Sequence, residues 1–130
     1  MRIIVLLAAA FSLAGCATQE PIRDVVASPV GTPADPDLSM GEVRTAIERA
    51  GRSLGWQMFA EQPGTLSGRL ALRSHVAVVE IEFDTAHYSI RYRESTNLDA
   101  ADGHIHEAYN EWVEKLDRAI RAELERPRQR

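Results

Sequence analysis

Residues 75–92 read HVAVVEIEFDTAHYSIRY, and the period of this stretch decides the fold. From His75 onward, Ala77, Val79, Ile81 and Phe83 fall at every second position, with Glu80 and Glu82 between the last of them. Successive side chains of a strand point to opposite faces, so the stretch is a strand with one apolar and one wet face. Asp84 to His87 turns the chain. Tyr88, Ile90 and Tyr92 then face inward again, while Ser89, Arg91 and Arg93 face out. Two alternating runs joined by a short polar turn predict a hairpin.

The same period extends backward. Leu66, Gly68, Leu70 and Leu72 share one face, with Ser67, Arg69 and Arg73 on the other. Gln62-Pro63-Gly64 supplies a turn, and before it Trp56, Met58 and Ala60 alternate with Gln57 and Phe59. These segments predict an antiparallel meander with one solvated face. On that face Arg69, Arg73, Arg91 and Arg93 are expected across from Glu80 and Glu82, a charge ladder worth about 0.2–1 kcal/mol per pair.

Flanking the meander, the apolar period lengthens to that of a helix. Ser39-x-x-Glu42 is a capping box, in which each side chain satisfies an orphan backbone amide of the other residue. Val43, Ala46, Ile47, Ala50 and Leu54 follow as one stripe, and Gly55 ends it, because glycine accepts the left-handed conformation of a helix terminus. After a polar loop over 94–103, Ile105, Ala108, Tyr109, Trp112, Val113, Leu116, Ile120 and Leu124 form a second stripe. Glu111 and Lys115, and Glu114 and Arg118, make favourably ordered pairs on its wet side. Pro127 and a basic tail over 127–130 close the chain. The predicted architecture is an α+β two-layer sandwich over residues 39–126, ordered α-β-β-β-β-α, with two helices on one face of the sheet. Trp56 and Trp112 are expected to carry much of its core.

Upstream of this domain the composition changes. Residues 17–38 hold Pro21, Pro29, Pro33 and Pro36 with no apolar period between them. That predicts a semi-stiff tether of about 25 Å or more. A second reading lets Ile22, Val25 and Val26 add an edge strand. Further upstream, Met1-Arg2 precedes an apolar run from Ile3 to Leu13 broken only by Ser12. The run is too short to span a bilayer and has the length of a signal-peptide core. It ends in Leu13-Ala14-Gly15-Cys16, which resembles the lipobox of bacterial lipoproteins, cut before the cysteine. The resemblance implies that residues 1–15 are a removed signal peptide. It also implies that Cys16 is lipidated, with a diacylglycerol on its thiol and an acyl chain on its new amino group. Ala17 stands where many inner-membrane lipoproteins have aspartate, which implies anchoring in the outer membrane with the domain facing the periplasm. The rival is an ordinary secretory signal cut between Ala10 and Ala17.

A second resemblance covers residues 40–124. Gly55-Trp56, Pro63-Gly64, Leu72-Arg73-Ser74-His75, Tyr88-Ser89-Ile90-Arg91-Tyr92, Ser95-x-Asn97-Leu98 and Ile105-His106-x-x-Tyr109-Asn110-x-Trp112-Val113 together resemble a group of small proteobacterial lipoproteins. The resemblance implies the same location and domain, and it brings no catalytic residues.

Charge and chemistry narrow the function. The 130 residues carry 15 Lys+Arg against 19 Asp+Glu, a formal net charge of −4. Nucleic-acid binders carry clustered basic charge, which this chain lacks. The single cysteine excludes an intrachain disulfide framework and a cysteine-rich zinc site. Neither a Gly-x-Ser-x-Gly elbow nor a phosphate-cradling glycine loop occurs, so the expectation is a protein without catalytic residues, metal or cofactor. His104 and His106 point apart on a helix. His104 either is solvated or joins Asp102 or Asp99 around a metal. Asn97, His104, His106 and Tyr109 are candidate binding residues at the loop–helix junction, the competing role being to set how the last helix enters the core. Arg69, Arg73, Arg91 and Arg93 are a candidate partner face. The expected function is an outer-membrane-anchored lipoprotein serving as a non-enzymatic interaction or structural accessory, with an envelope protein or peptidoglycan as partner. The alternative is a small-ligand or glycan-binding module.

Overall fold

Ser39 begins the first helix as its spacing predicts. Its hydroxyl accepts from the Glu42 amide at 3.1 Å, and the Glu42 carboxylate accepts from the Ser39 amide at 3.3 Å. Helix α1 runs Met40–Ser53 and buries Val43, Ala46, Ile47 and Ala50. Gly55 then takes φ +90°, a conformation that needs no Cβ. These features belong to a computed structural model that describes residues 18–32 and 35–128.

Two short strands precede the helix, β1 (Gln19–Pro21) and β2 (Val25–Pro29). After it come β3 (Gln57–Gln62), β4 (Thr65–Leu72), β5 (His75–Phe83), β6 (His87–Thr96), β7 (His104–His106) and α2 (Glu107–Leu124). The main sheet has the order β2-β6-β5-β4-β3, and every neighbouring pair in it is antiparallel. A separate two-stranded ribbon joins β1 to β7. Strands β3 to β6 form the expected meander, and the fold is the expected α+β sandwich with one strand and one ribbon added. Gly64 makes the β3–β4 turn at φ +81°, where a Cβ would lie 3.0 Å from the Phe83 carbonyl oxygen.

The core lies between the sheet and the helix pair. Ala77, Val79, Ile81 and Phe83 of β5 and Tyr88 and Ile90 of β6 are all buried, as their alternation requires. They meet Val43, Ile47, Tyr109, Val113, Leu116 and Ile120 of the two helices in one continuous cluster. The helices run antiparallel, because Arg128 beyond the end of α2 pairs with Glu42 at the start of α1 (3.2 Å) and with Asp35 (3.6 Å).

Several expectations are corrected. The described residues of the stretch expected as a semi-stiff tether over 17–38 are part of the fold, with β2 as the edge strand of the second reading: Val25 pairs with Ile90, and Ser28 and Pro29 with Tyr88 and His87. A bulge between Val25 and Ser28, with Ala27 at φ +50°, breaks the alternation there, and Val26 remains exposed. Leu54 and Leu72, read as ends of buried stripes, are 39% and 50% exposed, since each sits where its element leaves the core. Trp56 is buried, but Trp112 only packs against the rim of the core. Within the basic tail, the charge of Arg128 holds the two helix ends together.

Candidate functional site

Asn97 ends β6 in the left-handed conformation, φ +56°. Its amide donates to the Ser74 carbonyl at 3.1 Å, and its own carbonyl meets the His75 Nδ1 at 2.7 Å. Asn97 therefore ties the loop to the β4–β5 turn. His106 is the N-cap of α2: its Nδ1 accepts from the Ala108 amide at 3.0 Å, while its backbone amide donates to the Leu98 carbonyl at 2.8 Å. That acceptance leaves the ring proton on Nε2. The His106 ring stacks on His75 at 6.2 Å, and His75 lies 6.5 Å from the Trp112 ring.

The other two candidates point elsewhere. His104 is exposed, with Nδ1 at 3.0 Å from the Asp102 carbonyl. Tyr109 is fully buried, its ring edge-on to Tyr92 at 5.5 Å. Among the described residues its hydroxyl has no hydrogen-bond partner, and burial, reinforced by the negative charge of Asp24, pushes its ionisation upward. Asn97 and His106 thus meet around His75, and the four candidates do not converge. Clefts of about 920, 490, 460 and 250 Å³ open on the surface, and none of them is lined by any of the four. Among the described residues no three His, Cys, Asp or Glu side chains gather where a metal ion could bind.

The arginine face divides as well. Arg93 pairs with Glu61 at 2.6 Å, and that contact lowers the Glu61 pKa and raises that of Arg93. Arg91 lies 3.8 Å from Glu82. Arg69 stands opposite Val78 instead of an acid. Arg73 occupies the β4–β5 turn at φ +56°. Of the expected ladder, Arg91 stands across from Glu80 and pairs with Glu82, while Arg93 reaches further, to Glu61. A bulge between Val78 and Val79 displaces the register beyond Tyr92 and leaves Arg93 as the extra residue.

Sequence reasoning missed the polar joints that hold the N-terminal segment. Asn110 accepts from the Arg23 amide at 3.0 Å and donates to the Pro21 carbonyl at 2.9 Å and the Glu20 carboxylate at 3.0 Å. Asp24 accepts from the Tyr92 amide at 3.0 Å, and the Ser89 hydroxyl accepts from the Ala27 amide at 2.9 Å. Asp117, nearly buried, accepts from the Tyr88 hydroxyl at 2.5 Å and pairs with Arg121 at 2.9 Å. Burial and that bond push the Tyr88 pKa up to about 12. Asp117 had a signal, since it lies four residues after Val113 and three before Ile120, on the apolar stripe. A carboxylate at such a position needs a buried partner.

No family model, curated protein or solved structure matches the chain.

Proposed function

We propose that this chain is an exported lipoprotein held in the outer membrane by acylated Cys16, with its α+β domain in the periplasm as a non-catalytic accessory of the envelope. The observation that carries the anchor is Leu13-Ala14-Gly15-Cys16 in register behind a charged start and a short apolar run. Two or three acyl chains hold a protein durably, since each buried methylene contributes about 0.8 kcal/mol. The non-catalytic part draws support from what the polar residues do. His106 caps a helix, Asn97 fixes a turn, and Asn110, Asp24 and Asp117 join segments.

Within the arginine face, Arg69 is the residue on the sheet left for a partner, because Arg91 and Arg93 already face Glu82 and Glu61 and Arg73 sits in the β4–β5 turn. The alternative, a module for a small ligand or glycan, draws less support. Its four residues are dispersed, and Tyr109 is inaccessible.

Growth with an alkyne-bearing palmitate analogue, followed by membrane fractionation, tests the anchor. Label on the wild-type chain in the outer-membrane fraction, lost in Cys16→Ser, is the expected result. An unlabelled wild-type chain overturns the anchor. Cross-linking in intact cells tests the accessory role, with one dominant envelope protein or peptidoglycan expected and loss of that product in the Arg69→Gln variant.

A further inference from the structure

The fold begins almost at the proposed lipidation site. Thr18 is already fixed, its carbonyl accepting from the Glu107 amide at the start of α2 at 3.0 Å. Gln19 pairs with His106 in the β1–β7 ribbon, and its side-chain amide donates to the Asp99 carbonyl. Between Cys16 and Thr18 only Ala17 intervenes. Two residues of extended chain span at most about 7 Å. A phospholipid headgroup layer is itself about 5–7 Å thick, taking half the difference between the full bilayer and its hydrocarbon core. A chain so short cannot hold the domain clear of the surface.

The topology settles which end of the domain this is. The start of α2, the β4–β5 turn and the loop after Asn97 lie together, joined by the His75–His106 stack and the Asn97–Ser74 bond. The C-terminus of α1 is at the same end, because the helices are antiparallel and Gly55 abuts Leu70. This end presents Leu72, Leu54 and the half-buried Trp112 beside Arg52 and Arg73. It also carries the carboxylates of Asp99 and Glu107. Exposed leucines with neighbouring arginines and a rim tryptophan suit the interfacial layer, where apolar bodies and charged heads are both accommodated.

We propose that this end of the domain, with Leu72 and Arg73 of the β4–β5 turn nearest, rests on the phospholipid headgroups of the leaflet that holds Cys16. The proposal rests on the anchor reading above. The sheet then stands away from the bilayer, with the β5–β6 turn at its far end. Strand β5 has nine residues, which puts that turn about 26 Å further out at ~3.3 Å per residue.

The test uses the full acylated chain in vesicles of phosphatidylethanolamine and phosphatidylglycerol. A fluorophore is placed on Leu72→Cys or on Thr85→Cys of the β5–β6 turn, and a quencher is carried on the lipid headgroups. Mass spectrometry of the N-terminal peptide reads Cys16 acylation in the same samples. Expected are acylated Cys16, quenching at position 72 several-fold stronger than at 85, and a smaller difference once ten Gly/Ser residues are inserted between Ala17 and Thr18. Equal or reversed quenching on acylated, vesicle-bound protein overturns the proposal and leaves the anchor standing. An unacylated Cys16 with no vesicle association overturns both.

Discussion

The meander shares its sheet with β2 of the N-terminal segment, while β1 lies in the separate ribbon, and the two regions are held by different forces. Strands β3 to β6 are joined by short turns, and Leu66, Leu70, Ala77, Val79, Ile81, Phe83 and Ile90 give them a buried apolar face. Strands β1 and β2 are three and five residues long and lie between 62 and 90 residues along the chain from the side chains that fix them. They are fastened by Asn110, Asp24 and Ser89, whose side chains bond to backbone amides and carbonyls. Alternating hydrophobicity builds a sheet from local hairpins. Adding a distant edge takes specific polar joints, because a short strand buries too little to offset the entropy of closing a long loop.

The largest expected effect falls on the meander. Ile81→Ala should cost about 2–5 kcal/mol, and both regions should unfold together in one transition, read by denaturant melts with strand and tryptophan signals. Separate transitions would mean that the N-terminal segment does not depend on the core beneath it.

Alkaline pH attacks the joint between the two regions. Tyr88 of β6 bonds to Asp117, with Ser28 of β2 beside it, and its folded-state pKa of about 12 lies above the usual value of 10. The stabilisation is complete below pH 10 and is lost as pH rises toward 12, because the unfolded chain releases this proton first. A shift of that size corresponds to about 2–3 kcal/mol. Melts between pH 9 and 12 should show the decline, and Tyr88→Phe should flatten it. An equally steep decline in the variant would place the alkaline weakness elsewhere.

Asn110→Ala should cost about 1–3 kcal/mol, since it leaves the Arg23 amide and the Pro21 carbonyl without their partner. Here the two regions should part company. Hydrogen exchange should quicken at Arg23 and across the β1–β7 ribbon, with β4 and β5 amides unchanged. Uniform quickening would erase the distinction.

Smaller effects sharpen it. Tyr109→Phe should be neutral or stabilising by up to about 1 kcal/mol, because the buried hydroxyl it removes has no partner among the described residues. A loss above that would show that the hydroxyl is satisfied after all. Arg93→Gln should change stability by less than about 0.5 kcal/mol, the usual scale for a solvent-exposed ion pair.

This contrast also explains what the chain discloses. The meander was legible because period-2 burial is written residue by residue, and the capping box at Ser39 because both its partners lie within four residues. Strand β2 was legible only as the second reading and β1 not at all, since Pro21 and Pro29 sit in them and their fixing residues are distant in sequence. His106 was visible as a candidate, yet its role as a cap is set by a ring rotamer that no spacing encodes. The arginine face was half legible. Face alternation placed Arg91 and Arg93 outward, but the bulge at Val78 redirected Arg93 to Glu61, two strands beyond β5.

The bulge in β2 has a consequence for crowding. Sheets aggregate by extending edge to edge, each outer strand serving as a template for the next chain. Here one outer strand is kinked at Ala27 and ends in Pro29, and the other, β3, shifts register between Ala60 and Gln62 just before Pro63. Neither edge offers a flat row of donors and acceptors. Copies packed side by side in two dimensions would therefore stay separate five-stranded units and would not fuse into ribbons.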